Sequence, residues 1–466
     1  MIFQYQRAVG LACVAMFLFL VLSITILPLK TFDVLHFGSS SKNGQHAPTW
    51  NPTSNSSQSW TFQAPRDAKN YGLSPGQCDA SFPALGHAIE RSVAHRKEIG
   101  NIKPEDVNTG WRSDGIVHAM IYDNQLYIIE AKGCHRRDFR ERSLAILQSI
   151  WRAVVSWPGP IPNIEFTFTI DDGAYEQGVS NENPPVTWSL TRKDEPLYDN
   201  LWLMADFGFY VWGATGDYNA LRKAIKDDEI PFDKKDPRAV WRGGVLVEKE
   251  PQDLRKSLID TAHDQKWADI DFFDWSQGKD GPSNWISIAQ LCKYLFPVHT
   301  EGRTYSGRLK YILNCHSVSV VHKLQWEENF HHLLVAEGPQ QNYIQVERDF
   351  SDLQQKIEHY LAHPDEARRI ADNSVRVFRD RYLTPAAQAC YWRKLFAAWR
   401  SVSFEPEFYM TVEEQERLEL AKAGDDEEKK SQVAQKFEGK DRKARVPRGM
   451  PYEKYMLIES YEDSPW

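Results

Sequence analysis

Two adjacent carboxylates end an alternating apolar run. Ile164-Glu165-Phe166-Thr167-Phe168-Thr169-Ile170 reads as a strand, and Asp171-Asp172-Gly173 stops it. A carboxylate at a strand's C-terminal end is placed to take a proton from an incoming hydroxyl in a cleft. Asp-Asp-Gly is also a common turn, so the pattern alone leaves both readings open. Residues 299–322 hold a second constellation: Gly302, Ser306 and Gly307 precede a helix that carries Arg308 and Lys310. Such a turn presents backbone N–H groups to a phosphate, and Arg308 adds a charge-assisted bond. A plain loop with surface cations fits the same residues. Trp241-Arg242-Gly243-Gly244 ends another strand and reads as a second backbone approach to a nucleotide or as a tight turn. Asp269-Ile270-Asp271 has the form of a divalent-metal pair, but the pattern is undemanding and a structural role is the expectation. His331-His332 and Glu327-Glu328 share one stretch without an HExxH spacing, so no metal site is expected.

The elements that must position these groups alternate in type. Ser81 is expected to cap the first helix of the body, with Pro83 in its first turn. Residues 115–133 read as two strands about an Asp123-Asn124 turn, and 137–155 as a helix by apolar period. Strand and helix patterns then alternate to residue 322, which predicts an α/β fold with mainly parallel sheets. From 351 to 400 the pattern is helical, with Pro364 and Pro385 near helix starts. Residues 411–445 are highly charged and read as an exposed helix or a disordered tail.

The chain has 466 residues with a net charge of −8, which argues against a protein built to grip nucleic acid. Its 16 Trp and 19 Tyr suit a large core better than a set of ligand platforms. Residues 8–29 carry no charge and are long enough to span a bilayer, longer than the core of a cleaved signal. The expected order is a cytoplasmic tail (1–7), a signal anchor (8–29), a luminal stem (30–76) and a globular body (77–405). A charged C-terminal tail (406–466) follows, and the protein would be single-pass type II in the Golgi or ER membrane. The stem holds one glycosylation sequon at Asn55. Six cysteines are present; Cys13 falls in the anchor, and the other five would face an oxidising lumen.

With these motifs in order, residues 77–400 resemble glycosyltransferase family 90. The match is strongest in CKYLFPVHTEGRTYSGRLKYILNCHSVSVVHK from Cys292, supported by IEFTFTIDD, LWLMADFGF, AVWRGG and CYWRKLF. The resemblance implies a GT-B architecture: two Rossmann-like halves, meeting near 215–235, with a donor in the cleft. It implies inverting, metal-independent transfer of xylose or glucose from a UDP-sugar to a hydroxyl of a glycan or glycoprotein. Asp172 would be the general base, with Asp171 the lesser partner. Arg308, Ser306, Gly302 and Lys310 would hold the diphosphate; Arg242, Gly243 and Gly244 would line the nucleotide, and Arg255 would add a cation. The resemblance also implies disulfides Cys292–Cys315 and Cys78–Cys390, leaving Cys134 free. A catalytically inactive luminal sugar-binding protein of the same fold is the alternative.

Overall fold

The structure is a computed structural model that describes residues 60–458, apart from 135, 174, 176–183, 214, 245–252 and 275–281. The anchor expected at 8–29 and the sequon at Asn55 lie outside the described residues. Two sheets organise the body. The first starts from a hairpin, β1 (Ile116–Tyr122) and β2 (Gln125–Lys132). Asp123 and Asn124 turn it with φ of 49° and 58°, the left-handed pair that a tight two-residue hairpin requires. β3 (Ile164–Thr169) pairs antiparallel with β1, and β4 (Thr187–Ser189) and β5 (Leu201–Leu203) continue in parallel.

The second sheet has five parallel strands: β6 (Asp236–Gly243), β7 (Ala268–Phe272), β8 (Tyr294–His299), β9 (Val320–His322) and β10 (Ile344–Val346). Their order is β7-β6-β8-β9-β10. The expectation of two Rossmann-like halves behind a membrane helix is therefore corrected. The first sheet is mixed, because its opening hairpin forces antiparallel neighbours. Among the described residues no helix is long and apolar enough to cross a membrane.

Helix α1 (Pro75–Ser81) opens the body, with α2 (His87–Ile99) and α3 (Arg137–Val155) beside the first sheet. Ser74, not Ser81, is the first cap: its hydroxyl takes the Gln77 N–H and the Gln77 side chain returns to the Ser74 N–H, with Pro75 next in line. Residues 60–76 belong to the body rather than to a stem. Leu73 is fully buried, Phe62 packs edge-on to Phe82 at 5.0 Å, and Arg393 donates to the carbonyls of Tyr71 and Leu73. Polar composition hid these few anchors.

Helix α4 (Tyr218–Asp227) lies between the sheets in sequence, and α5 (Leu254–Ala262) and the one-turn α6 (Leu309–Ile312) flank the second sheet. Helices α7 (Leu353–Ala362) and α8 (Pro364–Ser374) precede α9 (Pro385–Ser401), which returns to the first sheet. There Trp399 donates to the Glu165 carbonyl at 2.9 Å and lies edge-on to Trp188 and Trp202. Trp188, Trp202, Trp241, Trp392 and Trp399 are all fully buried, so much of the aromatic content is core. Disulfides join Cys78 to Cys390 and Cys292 to Cys315, while Cys134 is a buried thiol. The first bond ties α1 to α9.

The charged C-terminal segment is also folded, carrying largely exposed helices rather than a disordered tail. Residues Tyr409–Thr411 pair with Arg445–Pro447 around helices α10 (Val412–Ala423) and α11 (Glu427–Phe437). Strand β11 (Met450–Pro451) then joins β2, completing the order β11-β2-β1-β3-β4-β5. Arg448 makes two bonds to the buried Glu165 at 2.7 and 2.8 Å, and Tyr452 and Tyr455 are 2% exposed. Three or four specific anchors outweigh a polar average.

Candidate active site

Asp171 and Asp172 follow β3 at its C-terminal end and do different things. Asp171 is a brace. Its Oδ2 accepts from Arg112 at 2.8 Å and its Oδ1 takes the Asp172 N–H at 2.8 Å. Arg112, itself buried, also bonds the carbonyls of Asp114 and Gly173. Asp172 stays open: its side chain keeps 42% of its surface, and among the described residues only Oδ1 is engaged, by Arg142 at 2.9 Å. Desolvation by surrounding protein pushes its pKa up from the ordinary carboxylate range; Arg142 opposes this, and Asp171 and Asp206 add to it.

The loop after β8 faces this carboxylate. Thr304 donates its hydroxyl to the Asp172 carbonyl at 2.5 Å, so the first and second sheets meet at the site. Gly302 turns its N–H inward to the carbonyls of Thr304 and Tyr305, and a Cβ there would crowd Arg255 at 3.2 Å. The Ser306 hydroxyl is half-buried with no hydrogen-bond partner among the described residues. Arg308 caps the short α6 and is half-buried. Its guanidinium lies 5.6 Å from the Trp241 ring centre, and no carboxylate pairs with it among the described residues. Arg255 lies over the same ring at 5.9 Å and, among the described residues, hydrogen-bonds only carbonyls, those of Gly244 at 2.8 Å and Glu301 at 3.3 Å. Burial first, and Arg255 second, lower the Arg308 pKa to about 10. Two guanidiniums share one indole, and Arg308, desolvated and repelled by Arg255, is the member that a bound anion would relieve. Burial lowers the Arg255 pKa, and Asp253 first and Asp172 second oppose that shift.

A cleft of about 350 Å³ opens at Arg308; Asp172, Arg255 and Gly302 are not among the residues that line it. Ser306, Gly307, Arg308 and Arg242 line one side, and Phe207, Trp212, Phe273, Trp285 and Ile286 form an apolar wall. His299, at the end of β8, is 1% exposed with an unbonded Nδ1. Its imidazole stays neutral because burial, then His322, His331, Arg308 and Arg255, hold its pKa well below the usual value.

Other residues expected at a donor are differently engaged. Lys310 borders the cleft, but its ammonium is buried against Asp206 at 2.6 Å and the Gly307 carbonyl at 2.7 Å. Arg242 is paired with Asp269 and bonds the Asp269 carbonyl at 2.6 Å. Gly243 answers a packing need, since a Cβ would enter the Trp241 ring at 2.3 Å. Gly244 offers its carbonyl to Arg255. Asp269 also accepts from Tyr294 at 2.6 Å, which gives the Asp269-Ile270-Asp271 pair a structural role. Among the described residues no group of three or more His, Cys, Asp and Glu side chains is arranged to hold a metal. Sequence reasoning missed Arg142 and Arg112; their only linear signal was basic residues at the start of α3 and before β1.

Comparison with known proteins finds protein O-glucosyltransferases among the similar sequences. Zebrafish (Danio rerio) protein O-glucosyltransferase 2 is 27% identical over 322 residues, 68% of this chain and 62% of that protein. Human protein O-glucosyltransferase 3 is 26% identical over 59% of this chain and 53% of its own length. Human protein O-glucosyltransferase 1 is 25% identical over 52% and 63%. The matched region thus spans a little over half of each relative. The model for glycosyl transferase family 90 matches residues 76–460, including the folded C-terminal segment, and the chain belongs to that family.

Proposed function

We propose that this glycosyltransferase moves glucose or xylose from a UDP-sugar to a hydroxyl of a glycoprotein or glycan, with inversion at the anomeric carbon. The acceptor hydroxyl gives its proton to Asp172 as its oxygen bonds the anomeric carbon. The bond from that carbon to the diphosphate breaks, and UDP leaves with the electron pair. Arg308 and Arg255 receive the growing negative charge, and Ser306 adds a hydroxyl. Their fixed positive charge needs no reorganisation during the reaction. It stands where other enzymes place a divalent ion, so the proposal is metal-independent: chelation with EDTA should leave turnover unchanged. One displacement by one base yields inversion. The O-glucosyltransferase names of the relatives favour glucose and a protein acceptor. The two disulfides favour an oxidising, secretory compartment.

The observation that carries the reading is Arg308, desolvated beside Arg255 with no carboxylate partner among the described residues, together with the open Asp172 carboxylate that acts on Arg255. Asp172→Asn tests it. Transfer should fall by about 10²- to 10⁴-fold, the usual contribution of a positioned base, while UDP binding stays intact. Unchanged turnover would remove Asp172 as the base.

A further inference from the structure

We infer that Arg142 is the positioning residue for the base, fixing one oxygen of Asp172 so that the other faces the acceptor. The inference rests on the reading of Asp172 as the base. Arg142 stands one turn into α3 and is held from three directions. Its Nη1 donates to Asp172 Oδ1 at 2.9 Å and to the Ile170 carbonyl at 3.2 Å. Its guanidinium lies 4.8 Å from the Phe207 ring centre and 4.9 Å from that of Trp212. The centres of those two rings lie 4.8 Å apart, with their planes tilted by 49°. The side chain is 13% exposed, and its Nε is buried without a partner.

An ordinary ion pair at a half-open carboxylate has none of this enclosure. Long side chains lose rotamer freedom when they pair, and exposed pairs contribute little to stability. Here the Ile170 carbonyl and two aromatic faces fix the guanidinium before it meets Asp172. It takes one carboxylate oxygen rather than both. Asp172 Oδ2 has no hydrogen-bond partner among the described residues, and the contact at Oδ1 sets where it points. Phe207 and Trp212 also line the cleft beside Arg308. The residues that hold the guanidinium are therefore the wall of the space a donor would fill.

The charged and titratable groups facing Asp172 come from every side. Arg142 is on α3, Asp171 lies beside it, Asp206 follows β5, Arg255 is on α5 and Tyr305 is on the loop after β8. Arg142 opposes the upward push of burial, Asp171 and Asp206. Removing its charge raises the pH at which Asp172 loses its proton, and so the pH at which a base becomes active.

The test is the pH profile of kcat/KM, with UDP affinity measured separately, for the full chain and for Arg142→Gln, Arg142→Lys and Asp172→Asn. Arg142→Gln should lower kcat by about 10- to 100-fold, a share of the base's contribution, with UDP affinity unchanged. Its acidic limb should move up by about one pH unit or more. Arg142→Lys keeps the charge without the planar fork. It should keep the limb near its original place while recovering only part of kcat, and it carries the test if the glutamine variant does not fold. The original limb and full kcat in Arg142→Gln would overturn the inference. A loss of UDP affinity at unchanged kcat would also overturn it, placing Arg142 on the donor. Full transfer by Asp172→Asn would instead remove the base itself. Loss of transfer there, with a normal Arg142→Gln enzyme, would remove only the positioning role.

Discussion

Lys310 offers the sharpest separation between donor contact and internal support. Its ammonium is 1% exposed and Asp206 is 2% exposed, at 2.6 Å. Asp206 also accepts from Tyr305 at 2.6 Å and from the Gly208 N–H at 2.6 Å. Replacing Lys310 by Met keeps most of the volume and leaves that carboxylate buried with two neutral donors and no cation. Breaking a buried pair in this way costs about 3–5 kcal/mol. A body of about 400 residues unfolds with an entropy near 0.8 kcal/mol/K, so about 4 kcal/mol lowers Tm by about 5 °C. The double variant Lys310→Met/Asp206→Asn removes both charges and should recover most of that loss. The Asp206 charge holds the lysine pKa above its ordinary value, against burial. The pair's stability is thus complete at neutral pH and falls only as pH climbs past the ordinary lysine range. Thermal unfolding with the disulfides intact gives Tm, and calorimetry with UDP gives affinity. UDP affinity within about twofold of the parent is the expected companion result. A tenfold or greater loss of UDP affinity at unchanged Tm would refute the reasoning and return Lys310 to the phosphate.

Arg308→Gln removes a charged donor worth about 1.5–3 kcal/mol and should weaken UDP binding by about 10- to 150-fold, read by calorimetry, with Tm unchanged or raised. The raised Asp172 pKa places the acidic limb of kcat/KM above the usual carboxylate range; a limb inside that range would contradict it. Removing Cys78–Cys390, which spans 312 residues, should cost more than removing Cys292–Cys315, which spans 23. Chain-entropy arithmetic gives about 6 against about 3 kcal/mol, and unfolding of Cys→Ala pairs measures the order. Arg448→Met leaves Glu165 buried beside His118 alone and should cost about 3–5 kcal/mol, read as a Tm lower by about 4–6 °C, with UDP affinity unchanged. Because His118 and Arg448 lower the Glu165 pKa against burial, that stability is present above the ordinary carboxylate range and is lost as pH falls through it.

How much of this was legible depended on whether a signal was local. The Asp123-Asn124 turn, the 137–155 helix and the strand carrying Asp172 each follow from a periodicity or a dipeptide, and they stand where the pattern put them. The mixed first sheet did not follow, because strand order is decided by pairing across 40 or more residues, as between Met120 and Glu165. Charge hid the folded C-terminal segment: Arg448 reads as one more surface cation until Glu165 is found beneath it. Similarly, the linear order of Arg242, Arg308 and Lys310 cannot reveal which of them already holds an acid. Asp269 and Asp206 make those pairs through contacts remote in sequence, and of the three only Arg308 has no acid partner among the described residues.

Strand β11 covers the outer side of β2, where a row of unpaired N–H and C=O groups would otherwise face solvent. Trimming the chain before Met450 would uncover a ready template for intermolecular strand addition. Such a shortened protein would be expected to self-associate as its dose rises, even with every group around Asp172 in place.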